Sequence, residues 1–248
     1  MLFKKERIRL IRFLIEINEK IFFYSRLKIV YKKMFKIRPL GLLIDVGVNR
    51  GQTISFVKKF NSSVKIFGFE PNKNLVNDLR KRNFKNLTLF NYGCSNFDGR
   101  LIFNENILDE SSTFEKVKED SKWLKKKALI LGVPAKELIK NSYEVKVVQL
   151  ADFIDKKLNN LTIDLIKIDV EGHELKVLEG LFYKTLNSKI RYIQVEVHND
   201  DLYCEDLKNK IISLLKDVNF KIYKEVQHGF GNFYDIIFVN EDNPNNKY

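Results

Sequence analysis

The chain has 248 residues, enough for one α/β domain with a large core and too few to require two. Its hydrophobic content of 44% excludes a disordered chain, and its two cysteines, far apart and without a CxxC pair, exclude a disulfide framework and a zinc site. A reducing compartment therefore fits best. The net charge of +12 is concentrated at the start: residues 1–40 hold 12 Lys or Arg against 3 Glu, whereas the other residues hold 32 basic and 29 acidic side chains. Because the main body is nearly neutral, we expect no nucleic-acid partner.

The first forty residues form a basic amphipathic helical segment. One apolar stripe repeats at spacings of three and four residues and consists of Leu10, Phe13, Leu14, Ile17, Ile21 and Tyr24. Four residues widen this apolar surface, namely Ile8, Ile11, Ile15 and Phe22, and a narrow polar face consists of Lys5, Arg9, Arg12, Glu16 and Lys20. No uninterrupted apolar run reaches the length of a membrane span, and the charges interrupt any signal-peptide core. The pattern favours one helix, or a pair reaching about Phe35, packed on the domain with a solvated basic face.

Two other partners for this segment stay open. Its basic amphipathic pattern is also typical of a helix that contacts an anionic membrane or a lipid-linked substrate through residues 1–35. Its wide apolar surface would equally serve as the contact of a homodimer. The expected location is the cytoplasm, with attachment to the inner face of a membrane if the lipid alternative holds.

A strand, a glycine turn and a helix follow within residues 41–60 (GLLIDVGVNRGQTISFVKKF). Asp45 interrupts the strand near its end, and Gly47 and Gly51 bracket the turn. This GxxxG spacing differs from the dinucleotide fingerprint GxGxxG, whose third glycine supports close approach to a pyrophosphate. A second strand then ends at Glu70, about where a βαβ unit places an acidic group against ribose hydroxyls.

The middle of the chain is less regular. A helix over 74–82 and a third strand over 87–92 lead into a short strand at 101–103. Residues 104–144 are interpreted as an insertion over the mouth of the sheet, where we expect a lid or an acceptor-binding element. A basic helix is predicted within it at about 117–131, ending at Gly132. Its run Lys125-Lys126-Lys127 is more typical of a solvated face than of a phosphate clamp.

A buried parallel strand followed by a helix is predicted within residues 163–180 (IDLIKIDVEGHELKVLEG). The strand stops at Asp169, and helical spacing begins at Glu174. Ligands of open α/β sheets bind at the carboxyl ends of strands, so Asp169 is a candidate site residue. The next strand carries Glu196 and His198 at its own end, which places them at the same edge.

The last part of the chain predicts a helix over 202–218 and two strands, 220–226 and 233–239. A glycine-rich hairpin connection that contains His228 joins these strands. The alternation of strands and helices, without an interdomain linker, predicts one α/β domain over 41–248. Its sheet should be doubly wound and mostly parallel, with an antiparallel last strand.

Three sequence blocks carry a resemblance to a known family: LLIDVGVNRGQT, IFGFEPN, and IDLIKIDVEGHELKVLEG followed by IQVEVH. They resemble the FkbM-type methyltransferases, which are Rossmann-like class I enzymes that use S-adenosylmethionine. The third block is specific, whereas the first two fit many methyltransferases. Val48 and His173 stand where alanine is common in the family. Residues 1–40 and 104–144 lie outside the match and are expected to set the acceptor.

The resemblance implies a role for each matched residue. The methionine part of the cofactor would be surrounded by Asp45, Gly47 and Asn49, the turn held by Gly51, and the ribose hydroxyls bound by Glu70. Asn91 and Ser95, in the segment 91–96, would approach the adenine, and Asp169 would lie near the transferred methyl group and the acceptor. The chemistry agrees, because a ligand with a sulfonium and an ammonium but no pyrophosphate suits a site with carboxylates and a relaxed glycine turn.

Methyl transfer to a hydroxyl requires a base within hydrogen-bond reach of the acceptor. His198 is the first candidate, since histidine titrates nearest to neutral pH and this one ends a strand. Glu196 would orient it or bind the acceptor, and a purely structural role for His198 is an equal alternative. His173 is a weaker candidate, and His228 reaches the site only if its hairpin loop folds back.

The expected function is O-methyl transfer from S-adenosylmethionine to a hydroxyl of a sugar or glycan precursor. In one alternative this acceptor is attached to a lipid. The sugar preference comes from what similar proteins do. A second hypothesis is a metal-assisted methyltransferase. Its Mg²⁺ would be held among Asp169, Glu196, His198, Asn199 and Asp200, although we expect no metal. A third reading is a catalytically inactive fold that acts as a membrane-surface interaction module. A nicotinamide dehydrogenase is disfavoured by the missing third glycine, and a nucleic-acid base methyltransferase by the lack of an Asn/Asp-Pro-Pro-aromatic motif.

Overall fold

The computed structural model describes residues 2–158, 161–184, 189–198, 202–203, 206–229 and 233–243. The helices are α1 (Leu2–Asn18), α2 (Tyr24–Met34), α3 (Gln52–Val57), α4 (Lys73–Lys81), α5 (Lys122–Leu131), α6 (Leu150–Lys157), α7 (Glu174–Phe182) and α8 (Leu207–Asp217). The strands are β1 (Leu42–Val46), β2 (Lys65–Phe69), β3 (Leu87–Phe90), β4 (Gly93–Ser95), β5 (Gly99–Asn106), β6 (Ile139–Gln149), β7 (Ile163–Ile168), β8 (Ile190–His198), β9 (Phe220–Gln227) and β10 (Phe233–Asn240).

Seven strands form the main sheet, in the order β3-β2-β1-β7-β8-β10-β9. β1 pairs in parallel with β2 on one side and β7 on the other, and β10 runs antiparallel to both β8 and β9. The strand order reverses between β1 and β7, and a doubly wound sheet binds its ligand in the crevice at the carboxyl ends of the strands at such a point. The predicted doubly wound, mostly parallel sheet with an antiparallel last strand is confirmed.

The two faces of the sheet bury two separate hydrophobic clusters, because successive side chains of a strand point to opposite faces. Leu43, Leu165 and Tyr192 lie on the face covered by α2 and α3. Their neighbours along the strands, among them Ile44 and Ile166, lie on the face covered by α6, α7 and α8. Because these central strands are buried on both faces, their sequences read as continuous apolar runs rather than alternating ones.

The N-terminal segment is a continuous helical stretch with a π-helical turn at Glu19–Phe23 between α1 and α2. On α1 the packed side chains are Ile8, Ile11 and Ile15. A regular α-helix would continue this face through position 18 to position 22. A π-helical turn holds one extra residue, so Phe23 and then Leu27 are buried instead. The N-terminal segment is thus joined to the core of the domain through α2.

The expected apolar stripe of α1 is the face that stays exposed. Five of its side chains are between 37% and 58% exposed, namely Leu10, Phe13, Leu14, Ile17 and Ile21. Three of the four residues that were expected only to widen the stripe, Ile8, Ile11 and Ile15, pack against α5 instead, whereas the fourth, Phe22, is exposed. Arg12, assigned to a solvated face, turns inward and donates to the carbonyl of Ile107 at 3.2 Å. Within the described ranges no helix is both long enough and apolar enough to cross a bilayer.

A second, three-stranded sheet, β4-β6-β5, was not predicted. β5 and β6 are antiparallel partners, so the insertion placed at 104–144 includes parts of both strands, and the excursion between them is residues 107–138. Its helix α5 begins at Lys122 and not at 117, because the Ser121 hydroxyl caps it by accepting from the Leu124 amide at 3.1 Å. It ends at Gly132, as expected. α8 begins at Leu207 rather than 202, since residues 202–203 leave the helical path and pack against α5.

Leu27→Ala is expected to lower the free energy of unfolding by about 2–5 kcal/mol, because it removes a fully buried side chain from the cluster under α2. Ile29→Ala is the matched control on the same helix; its side chain is 61% exposed, and we expect a change within about 0.5 kcal/mol. Urea denaturation followed by circular dichroism measures both. Equally small effects would show that α2 contributes little to the core.

Candidate active site

A cavity of about 1080 Å³ opens at the carboxyl ends of β1, β7 and β8. Its walls come from the turn after β1, the segment after β7, the excursion between β5 and β6, and the N-terminal helices. Most of the predicted site residues line it, namely Gly47, Asn49, Gly51, Glu70, Asp169, Glu196 and His198. The residues that the strand-end rule selected therefore line one cavity at the carboxyl edge of the sheet.

The turn after β1 is held so close to the end of β7 that no side chain fits. A Cβ atom on Gly47 would lie 1.8 Å from the Asp169 carbonyl oxygen, and the φ of Gly47 is +87°. The Gly47 amide donates to Phe69 at 3.0 Å, and the Asp169 amide donates to Val46 at 3.0 Å. Gly51, with φ +78°, then begins the helix α3. A turn of this shape exposes backbone to a ligand at a distance that side chains would prevent.

Glu70 anchors the turn from β2. Its Oε2 accepts from the Asn49 amide at 2.7 Å, and its Oε1 accepts from the Asn72 amide at 2.8 Å. Burial raises the pKa of Glu70 to about 7, against the lowering effect of these two hydrogen bonds. Each carboxylate oxygen keeps a second lone pair, so Glu70 can still accept hydrogen bonds from a pair of ribose hydroxyls.

Asp45 is fully buried, and neither of its carboxylate oxygens has a hydrogen-bond partner in the part of the chain that the structure describes. It pairs in register with Lys167 across β1 and β7. Burial raises the pKa of Asp45 to about 7, although the charge of Lys167 lowers it. A buried carboxylate without a donor is costly unless a ligand supplies one. Together with the Gly47 turn and Glu70, it fits the ammonium-bearing cofactor that the sequence implied.

Asn91 and Ser95, expected near the adenine, are both engaged with protein atoms. The Asn91 amide donates to the carbonyls of Glu70 and Pro71. The Ser95 hydroxyl lies 3.0 Å from His173 Nε2. Between them in the chain, Gly93 and Cys94 line the cavity. The roles of Asn91 and Ser95 towards adenine stay predictions.

His198 lies between two carboxylates. Its Nε2 is 3.5 Å from Glu171 Oε2 and 3.3 Å from Glu196 Oε2. Burial raises the pKa of Glu171 to about 8, even though His198 lowers it. Burial, with the charge of Asp169, raises the pKa of Glu196 to about 7. Burial also acts to raise the pKa of Asp169, but the Lys167 ammonium lies 2.7 Å from its carboxylate and holds this pKa below the usual value.

His228 does return to the cavity from the start of the hairpin connection. Its ring stacks on Phe23 with centroids 3.9 Å apart. Its Nε2 lies 2.7 Å from Asp235 Oδ1, and its Nδ1 lies 3.1 Å from Glu19 Oε2. Burial lowers the pKa of His228, but the two carboxylates outweigh burial and hold it well above the usual value. An imidazolium held in this way is a poor base.

Four residues in or beside the cavity were not predicted from the sequence: Glu19, Lys167, Gln194 and Asp235. Lys167, Gln194 and Asp235 interrupt otherwise apolar strands, and this interruption was the available signal. Gln194 donates to Asp235 and accepts from the Tyr31 hydroxyl at 2.6 Å. Glu19 gave no signal, because only the tertiary structure brings α1 and α2 to the sheet.

Two other expectations have a plain outcome. His173 lies away from the cavity wall and bonds to Ser95 and, at 2.6 Å, to Glu115. Its contacts are those of a structural histidine. The proposed metal ligands Asn199 and Asp200 lie outside the described residues.

An ionic cluster ties the excursion to the turn after β1. Arg12 lies 3.5 Å from Asp109 and 3.6 Å from Glu110. Arg50, in the turn itself, binds Asp109 and lies 3.7 Å from Glu110. The helix α1, the excursion and the turn after β1 therefore close one cavity together.

Glu171→Gln should become more stabilising, relative to the original chain, as pH rises from about 4.5 to about 8. In this window the unfolded chain carries an ionised Glu171, whereas the folded chain retains its proton, so rising pH favours unfolding. We expect a relative gain on the order of 1–3 kcal/mol near pH 8.

Urea denaturation at the two ends of this window measures the difference, with the exposed Glu144→Gln as control. A Glu171→Gln effect that does not change with pH would show that Glu171 is ionised in the folded protein throughout.

Comparison with protein-family models matches residues 45–222 to the Methyltransferase FkbM domain. Curated proteins give no match. Similar solved structures include human methyltransferase 10 domain containing protein (9% identity, 88% of this chain and 81% of that chain, TM-score 0.47). A second is Aeropyrum pernix fibrillarin with natively bound S-adenosyl-L-methionine (12% identity, 86% of this chain and 74% of that chain, TM-score 0.46). A third is precorrin-6y C5,15-methyltransferase from Geobacter metallireducens (12% identity, 86% of this chain and 87% of that chain, TM-score 0.44). Since the family match spans most of the chain, the chain belongs to the FkbM methyltransferase domain family and is a methyltransferase whose cofactor is S-adenosylmethionine.

Proposed function

We propose that the protein transfers the methyl group of S-adenosylmethionine to a hydroxyl group of a sugar or glycan precursor. The observation that carries the proposal is the position of His198, between Glu171 and Glu196, on the wall of the cavity that contains the cofactor turn. A hydroxyl acceptor must lose its proton during or after attack, and an imidazole flanked by carboxylates can receive it.

The cofactor would be held by the turn after β1 and the buried carboxylates beside it. Asp45 offers unpaired acceptors for the ammonium group, the Gly47 turn admits the methionine part, and Glu70 accepts from the ribose hydroxyls. When bound, the cofactor supplies an electrophilic methyl group on a sulfonium. The protein contributes position and exclusion of water, and the ionic cluster of Arg12 and Arg50 with the excursion closes the cavity for that purpose.

His198 is the group assigned as base. Asp235 and Glu19 hold the pKa of His228 well above its usual value, which favours a proton already bound to its ring and makes it the weaker candidate. Asp169 has a lowered pKa, which makes it a weak base but a good acceptor of a hydrogen bond from the acceptor hydroxyl. Glu196 would orient the imidazole and stabilise the positive charge that it gains.

The other walls of the cavity support a sugar that carries an anionic group. Trp123 lines the cavity with its ring 5.5 Å from that of Phe233 and with the Lys126 ammonium 5.4 Å from its own ring centroid, so an aromatic surface and a cation lie together where a sugar ring would pack. Lys126 and Lys127 line the same cavity, although the sequence favoured a solvated face for them. Carboxylates near the strand ends can accept from sugar hydroxyls, and lysines on the excursion can bind phosphate. A phosphate-bearing glycan precursor satisfies both.

Glu70→Gln is expected to weaken S-adenosylmethionine binding by about tenfold to a hundredfold, because hydrogen bonds to a charged group contribute about 1.5–3 kcal/mol. Calorimetric titration of S-adenosylmethionine and S-adenosylhomocysteine measures the change. Glu144→Gln, an exposed carboxylate on β6, is the control and should bind both ligands as the original chain does. Unchanged affinity in a folded Glu70→Gln protein would remove Glu70 from the cofactor site.

His198→Gln is expected to lower kcat by about 10²–10⁴-fold while the affinity for S-adenosylmethionine stays the same, because only proton removal is lost. The measurement uses radiolabelled S-adenosylmethionine with a panel of sugars, sugar phosphates and nucleotide sugars. His173→Gln, outside the cavity wall, is the matched control. A fully active His198→Gln enzyme would rule out this base, and methylation of nitrogen instead of oxygen in the product would contradict the proposed reaction.

A metal-assisted reaction is the second candidate, and one observation favours it. Ligand atoms of Glu171, Glu196 and His198 all lie within 4.8 Å of one another, as in a site for a divalent cation. Treatment with EDTA separates the two mechanisms, because it leaves the rate unchanged if His198 acts as a base. The inactive-fold alternative would instead show cofactor binding without transfer to any acceptor.

A further inference from the structure

α1 has two apolar faces, and the fold covers only one of them. Ile8, Ile11 and Ile15 pack against α5, whereas the stripe from Leu10 to Ile21 faces outward. Single exposed apolar side chains are common on protein surfaces, but five along one helix face form a continuous strip about 16 Å long. A strip of this kind marks a contact surface.

The end of α5 extends the same surface. Leu129 and Ile130 are exposed there, and Leu129 is 78% exposed. Arg7 holds this end against α1, because its guanidinium donates to the carbonyls of Ile130 at 3.1 Å and Leu129 at 3.3 Å. We call the stripe together with Leu129 and Ile130 the docking surface.

The charges of these two helices identify the occupant. α1 carries five basic residues and two acidic ones, and α5 carries four Lys and no acidic residue. A second copy of the chain bound through this surface would bring the two basic sets against each other, which costs energy. An anionic lipid surface has the opposite charge, so it attracts the nearby Lys and Arg side chains and accepts apolar side chains between its headgroups.

We propose that the docking surface binds the interface of an anionic bilayer, with α1 lying along the membrane plane. Leu14, Lys20 and Ile130 also line the active-site cavity, so docking brings the cavity to the membrane surface. An acceptor attached to a lipid would be presented there. This last step rests on the proposed function, whereas the docking itself does not.

Cosedimentation of the full chain with lipid vesicles tests the proposal. We expect binding to phosphatidylcholine vesicles that contain phosphatidylglycerol, weaker binding to phosphatidylcholine alone, and loss of binding as salt increases. The double variant Phe13→Ser/Ile17→Ser should lower the affinity for anionic vesicles by at least about tenfold, because two apolar anchors are removed. Neither residue lines the cavity, so cofactor affinity and methyl transfer to soluble acceptors should be retained.

Ile102→Ser/Ile222→Ser is the matched control, since these two exposed apolar residues lie on β5 and β9, outside the docking surface. It should bind vesicles as the original chain does. Equal vesicle binding by the Phe13→Ser/Ile17→Ser protein would overturn the proposal. A dimer of the original chain in sedimentation equilibrium that this variant dissociates would overturn it as well, because the stripe would then be a contact between copies. Loss of vesicle binding with full transfer to soluble acceptors supports docking independently of the acceptor.

Discussion

The buried ammonium group of Lys167 lies 2.7 Å from the Asp169 carboxylate, and its charge also acts on Asp45, its register partner on β1. The site depends on this charge. Burial alone would lower the pKa of Lys167, but Asp169 and Asp45 outweigh burial and hold it well above the usual value. Lys167 therefore stays charged at neutral pH. Without it, the acidic groups at the ends of β1, β7 and β8 would repel one another, and removing one partner of a buried ion pair is strongly destabilising. The cation allows carboxylates to be concentrated at this edge of the sheet.

The N-terminal segment is joined to the polar residues of the sheet. α2 lies on the face of the sheet that carries Gln194 and Asp235, and the hydrogen bond from Tyr31 to Gln194 joins the helix to this polar row. The π-helical turn at Glu19–Phe23 then brings two of its residues against His228: Glu19 contacts Nδ1 as an ion-pair partner, and Phe23 stacks on the ring. Such turns accommodate an extra residue inside a helix and are frequent at functional sites. The segment outside the family match thus completes the wall of the cavity.

The cavity also separates its charges. The strand ends carry Asp169, Glu171 and Glu196, whereas the excursion contributes Lys126 and Lys127. A ligand that spans the two regions needs neutral hydroxyls or a cation at one end and an anion at the other. The fold does not set this polarity, because the same sheet supports many reactions. The excursion is in turn tied to the turn after β1 by the pairs of Arg50 with Asp109 and Glu110.

The order of elements along the chain, the parallel sheet, the family, and the placement of Asp45, Glu70, Glu196 and His198 at strand ends all followed from the sequence. They follow from local signals: apolar strand runs, glycine turns, and carboxylates directly after strands. Three features could not be predicted from the sequence: the return of His228 to the cavity, the ion pairs of Asp109 with Arg12 and Arg50, and the covered face of α1. Helical periodicity gives the angular position of each side chain on a helix, but not which side its neighbours occupy, and the π-helical turn shifts that position by one residue. Pairing between residues far apart in sequence depends on three-dimensional packing, so only the tertiary structure decided which apolar face of α1 is buried and which histidines line the cavity.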